Sequence, residues 1–128
     1  MKILSLILLL IVSTNVFAEW AKVGDTEEFI SYVDFGTIKK KSYKVKMWYL
    51  YDFKKVQHVG DDRYLSSVNH QEYDCEEETS RWLDFYEYSG NMKSGEIVFS
   101  NKNIKFEPVS IVPESIDYFL LKIACDKK

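Results

Sequence analysis

Residues 44–53 alternate along the chain. Val45, Met47, Tyr49, Tyr51 and Phe53 fall on one side of an extended segment, and Lys44, Lys46, Trp48, Leu50 and Asp52 fall on the other. A period of two is the mark of a strand. The second side turns apolar in its middle, so this strand is expected to be central in a sheet. Weaker runs of the same kind at 20–23, 28–34, 63–75, 79–88 and 96–101 predict further strands. Gly24-Asp25, Gly36, Ser89-Gly90-Asn91 and Gly95 separate them with turn chemistry. Residues 54–62, which contain Gly60, read as a polar connection, and Glu76, Glu77 and Glu78 as an exposed turn. No proline precedes Pro108, which leaves the chain free to build a hydrogen-bonded ladder.

Toward the C-terminus the period changes. Ile116, Phe119, Leu120, Ile123 and Ala124 are spaced i, i+3, i+4, i+7 and i+8, one apolar face of a helix. Pro113 suits its first turn, Glu114 and Asp117 suit its positive end, and Lys122, Lys127 and Lys128 the opposite end. The expected fold is α+β: an antiparallel sheet of five to six strands with one C-terminal helix packed on a face.

The first eighteen residues stand apart. Lys2 precedes an apolar run over 3–12, interrupted by Ser5, and Val16-Phe17-Ala18 ends on a small residue. That is the layout of a secretory signal peptide cleaved after Ala18. The run is about half the roughly 20 residues that a membrane-spanning helix needs. Residues 19–128 then form a single domain. Of 17 basic residues the leader takes Lys2, leaving 16 against 20 acids and a net charge of −4. This argues against a general nucleic-acid binder. Export also places Cys75 and Cys125 in an oxidising compartment, where two cysteines allow one intramolecular bond. The alternative is a pair of buried thiols.

Catalytic signals are weak. GxSxG, P-loop, HExxH and GxGxxG patterns do not occur. His58 in a polar loop and His70 in a polar strand are expected to face solvent, no cofactor is called for, and the chain is not expected to be an enzyme. Asp61, Asp62, Asp74 and Glu76 to Glu78 lack the spacing of a calcium loop and read as solvated turns rather than a metal site. The dense basic cluster is Lys39, Lys40, Lys41, Lys44 and Lys46. Projecting together, these ammonium groups would hold a sulfated polysaccharide, an acidic protein surface or lipid headgroups. The competing reading is a charged turn that guards a sheet edge against aggregation. Most of the aromatic residues belong in the core. If the sheet has a free face, however, some of Tyr49, Tyr51, Tyr86 and Tyr88 must point outward, where Tyr suits protein recognition.

An ordered set of short pieces runs through the chain. It comprises Trp20, Tyr32-Val33-Asp34, Thr37-Ile38, the segment 45–52, Tyr64-Leu65-Ser66-Ser67, Glu72-Tyr73-Asp74-Cys75, Tyr88-Ser89, Gly95, Phe106-Glu107-Pro108-Val109, Pro113-Glu114-Ser115 and Cys125. In their order and spacing they resemble the surface-adhesin protein E family of Gram-negative bacteria, from Trp20 to Cys125. A Trp is common before the Pro in that family, and here Phe106 keeps the aromatic character. The resemblance implies an antiparallel sheet with a C-terminal helix, a cysteine pair matching Cys75 and Cys125, and an envelope or surface location. It further implies binding to host extracellular-matrix glycoproteins such as laminin or vitronectin. The shared residues look like fold determinants, so no contact residue carries over from the resemblance. The lysine cluster is the expected contact surface, with any outward Tyr beside it. A homodimer through a free sheet edge is compatible with the pattern. The alternative function is a periplasmic domain that binds a small molecule or inhibits an envelope enzyme.

Overall fold

The structure, a computed structural model, describes residues 19–126. The leader reading falls on residues 1–18, outside the described residues. Eight strands form one antiparallel sheet: β1 (Ala21–Asp25), β2 (Phe29–Val33), β3 (Lys39–Lys41), β4 (Lys44–Val59), β5 (Asp62–Asp74), β6 (Thr79–Tyr88), β7 (Ile97–Asn101) and β8 (Val109–Ser110). Helix α1 (Ile116–Asp126) follows. The main path runs β1-β2-β4-β5-β6-β7, six strands wide. The other two make the count eight rather than the expected five to six. β3 continues the line of β2 along β4, and β8 continues that of β7 along β6. Neither carries an apolar alternation: β3 is three lysines and β8 two residues. Their strand character comes from pairing, not from their side chains.

β4 is central, and its length corrects a second expectation. It continues to Val59, then turns directly into β5 at Gly60 and Asp61, with Gly60 at φ +57°. Residues 54–62 are therefore mostly a hairpin arm, with His58 opposite Arg63, and His58 lies in a strand. The pairing slips between Asp52 and Gln57, which breaks the alternation and hides the arm from a period-two reading.

Helix α1 packs on the side of β4 that carries Val45, Met47 and Tyr49. With Val33, Tyr73 and Ile111 these residues enclose Leu120, Leu121 and Ala124. Ser115 caps the helix: its hydroxyl accepts the Tyr118 N–H at 3.1 Å. Pro113 and Glu114 thus precede the helix instead of forming its first turn. The buried stripe is also rotated from the expected one, since Leu121 is buried while Ile116 and Phe119 are exposed. Phe119 leans toward Gly24 on β1, where a Cβ would stand 4.0 Å from its ring. A disulfide joins Cys75, at the end of β5, to Cys125 in the last turn of α1. It fastens the helix to the end of the sheet where β3 and β4 turn.

Candidate functional site

The helix covers one face of the sheet; the other face is exposed at the β3–β4 end, while farther along it Leu50, Val68 and Ser66 are buried where the loop after β6 is bonded to Asp52 and Ser66. Strand register stacks that other face in cross-strand rows. Nearest the β3–β4 turn are Lys41, Lys44, Asp74 and Thr79, then Lys39, Lys46, Glu72 and Arg81. Trp48, His70 and Asp84 follow, and then Tyr32, Leu50, Val68 and Tyr86. One end is charged and the middle is aromatic.

Of the five lysines in the cluster, four share this face. Lys39 lies opposite Lys46, and Lys41 opposite Lys44. Lys40 pairs with Val45, whose side chain lies in the core, so Lys40 projects to the helix side. All five are exposed. Among the described residues none of the five makes an ion pair. The nearest acids are engaged elsewhere. Glu72 accepts a 2.9 Å hydrogen bond from Arg81 Nε, and Asp74 accepts the Glu76 and Glu77 N–H groups at 3.0 and 2.9 Å. Asp74 is thus a turn cap, and Glu76 to Glu78 are exposed as the sequence suggests. A groove of about 610 Å³ runs along the hairpin, lined by the five lysines, Ser42, Tyr43 and Glu72.

His70 is not a solvent-facing side chain. Its ring stacks on Trp48 with centroids 4.4 Å apart and planes 1° from parallel, and its Nδ1 lies 3.0 Å from Asp84 Oδ2. Burial pushes the Asp84 carboxyl up, but the Asn103 N–H and the His70 ring outweigh it and hold the carboxyl below its ordinary value. A carboxylate holding an imidazole is two-thirds of a hydrolytic triad. Here Trp48 covers the face of the ring, and no serine or cysteine is bonded to it among the described residues.

Beyond Trp48 lies a second groove, of about 350 Å³, lined by Trp20, Asp34, Thr37, Trp48, Val68, Tyr86, Tyr88 and Lys93. Its walls are fixed from beneath. The Thr37 hydroxyl accepts the Trp48 N–H at 3.1 Å and donates to the Asp34 carbonyl at 2.6 Å, filling the gap in the ladder between β2 and β3. The loop after β6 is pinned at both ends. Asp52 accepts the Met92 N–H and the Asn91 amide, while the Ser66 hydroxyl accepts the Lys93 N–H and donates to the Gly90 carbonyl. Met92 and Lys93 adopt left-handed backbone to make that turn, which sets Lys93 on the groove rim. Burial raises the Tyr88 hydroxyl, helped by Tyr86 beside it, so Tyr88 stays a protonated donor at neutral pH.

Of the four tyrosines considered, Tyr86 and Tyr88 line this face, whereas Tyr49 and Tyr51 lie on the helix side. The sequence reading missed the groove as a site. The signal available was Trp48, which alternates onto the side of Lys44 and Lys46. Trp20, Asp34 and Lys93 come from distant segments and carried no local signal.

The sequence profile described as surface-adhesin protein E matches residues 20–126. A search of curated proteins gave no match. Among solved structures, crystal form II of Haemophilus influenzae protein E superposes with a TM-score of 0.61 at 16% identity, covering 82% of this chain and 95% of that one. Its selenomethionine form gives 0.59 at 16% identity, covering 82% and 92%. Protein E from non-typeable Haemophilus influenzae gives 0.56 at 15% identity, covering 84% of each chain. At such identity the superpositions speak for a shared fold. With the profile spanning nearly all the described residues, the chain belongs to the surface-adhesin protein E family.

Proposed function

We propose that this chain is exported by its first eighteen residues and that residues 19–128 act as a non-enzymatic surface adhesin. Its partners would be host extracellular-matrix glycoproteins, of which laminin and vitronectin are the first to test. The face opposite the helix would make the contact: Lys39, Lys41, Lys44 and Lys46 at one end, and Tyr86 and Tyr88 beyond Trp48. The observation that carries this reading is the sheet face turned away from the helix, on which exposed lysines without ion pairs among the described residues lead to the half-buried rings of Trp48, Tyr86 and Tyr88. Such surfaces combine long-range steering with large, low-entropy contact area. The His70–Asp84 pair is bonded and stacked within that face, which favours a structural role over catalysis.

The test is binding of purified, oxidised residues 19–128 to immobilised laminin and vitronectin at physiological salt, with reduced and denatured protein as control. Saturable binding that disappears with the fold is expected. Replacing Lys39, Lys40 and Lys41 by Glu should weaken it and flatten its salt dependence. Absence of binding to both proteins would refute the adhesin reading.

A second reading has one observation in its favour. The aromatic groove is of the size that holds a small ligand. A periplasmic domain binding a small molecule there would be protected from protease added to intact cells, whereas a host-facing adhesin would be cut.

A further inference from the structure

The hairpin of β3 and β4 holds four ammonium groups in a rectangle. In antiparallel pairing, directly opposite Cβ atoms lie about 5 Å apart, and alternate residues on one strand about 6.8 Å apart. Lys39 with Lys46 and Lys41 with Lys44 occupy the four corners on one face. The four side chains therefore spring from points closer together than about 8 Å, the screening length at physiological salt, so their charges repel one another. Like charges placed directly across a sheet are unfavourable. Two acids stand across β4 from them, Glu72 opposite Lys46 and Asp74 opposite Lys44, but neither makes an ion pair with a lysine among the described residues. Arg81 draws off Glu72, the acid next to Lys46, and Asp74, the acid next to Lys44, is spent capping the following turn.

We infer that this rectangle is a binding site for a sulfated polysaccharide chain. The ligand must be a polyanion, because one monovalent group cannot neutralise four cations. It must be linear and narrow, because the lysines line a groove along the β3–β4 hairpin, four from one face and Lys40 from the other. Sulfate esters stay ionised at any physiological pH and accept hydrogen bonds from ammonium donors on all sides. A duplex nucleic acid is a poorer fit to a chain with a net charge of −4. A lipid surface would meet the hairpin at its tip, where Tyr43 is the one large apolar side chain. The site shares its hairpin with the proposed adhesin face but does not depend on a polypeptide partner. A glycoprotein would be held here through its glycan.

The experiment measures affinity of folded, oxidised residues 19–128 for a size-defined heparin oligosaccharide, with hyaluronan and phosphatidylserine vesicles alongside. The variants are Lys39→Gln/Lys46→Gln, Lys41→Gln/Lys44→Gln, Lys40→Gln and Arg81→Gln, each checked by thermal unfolding. Saturable heparin binding is expected, with a log–log salt slope of about −3 for four displaced counterions. Each double variant should lose about tenfold or more, and Lys40→Gln, which removes one charge outside the rectangle, clearly less than either. Arg81→Gln should also weaken binding, because it frees Glu72 to pair with Lys46. No heparin binding overturns the inference. So does equal loss from Lys40→Gln, equal affinity for unsulfated hyaluronan, or preference for the vesicles. Heparin binding without binding to laminin or vitronectin would instead remove the protein-contact reading and leave this site standing.

Discussion

Breaking the Cys75–Cys125 bond tests how the helix is held to the sheet. The bond closes a loop of 50 residues. In the chain-entropy account, a loop of that length removes about 14 cal/mol/K from the unfolded ensemble, which is about 4 kcal/mol at 25 °C. Single domains are stable by about 5–15 kcal/mol, so the bond is a large part of the total. It does not act alone in the folded state. Leu120, Leu121 and Ala124 are buried against Val45, Met47 and Tyr73, and burying one leucine contributes roughly 2–3 kcal/mol. The reduced protein should therefore keep its helix docked and lose stability chiefly through its unfolded state. Urea unfolding would be compared for oxidised protein, reduced protein and Cys75→Ala/Cys125→Ala. The expected loss is about 4 kcal/mol, with a fall in Tm of roughly 15–20 °C and a steeper m-value because the uncrosslinked chain unfolds further. Near-UV circular dichroism before the transition should be unchanged. A loss below about 1 kcal/mol would refute the loop-entropy reasoning, and a changed native spectrum would refute the claim that packing alone keeps the helix in place.

Two further predictions concern groups on the two faces. The buried Tyr49 hydroxyl accepts a 3.3 Å hydrogen bond from Trp82 Nε1, whereas the Tyr73 hydroxyl meets no partner among the described residues. Tyr49→Phe should cost about 1 kcal/mol in chemical denaturation and Tyr73→Phe should be neutral or stabilising; the reverse order would contradict the hydrogen-bond assignment. Asp84 has a folded-state pKa below its ordinary 3.8, so its stabilisation is present above that value and is lost as pH falls through the depressed one. The wild type should therefore lose stability more steeply than Asp84→Asn as pH falls below the ordinary carboxyl range, as read by urea midpoints; parallel curves would sink the assignment.

Much of the fold was legible because burial writes a period into the chain. The alternation at 44–53 identified the central strand, and 79–88 matched β6 residue for residue. The i, i+3, i+4 spacing located α1 but misjudged its buried stripe. Phe119 is as apolar as Leu121, and only the proximity of β1 decides that Phe119 lies at the rim while Leu121 goes under. β3 and β8 were illegible, since three lysines or two residues carry no pattern and become strands only because β4 and β6 offer free hydrogen-bonding groups. His70 was misjudged for a related reason. Its polar strand neighbours suggested solvent, but Trp48 and Asp84, on strands to either side, cover its ring.

Sequence alone therefore determined the central strand, the run of the larger strands ending in one C-terminal helix and the only pairing open to two cysteines, because each depends on local period or simple count. The lysines were visible as a cluster, but register was needed to set four on one face and turn Lys40 to the other. The aromatic groove, the Glu72–Arg81 bond that leaves Lys46 unneutralised and the loop that carries Lys93 were decided by tertiary structure. These features join residues far apart in the chain, and cross-strand neighbours are set by strand order and register, which a one-dimensional pattern does not encode.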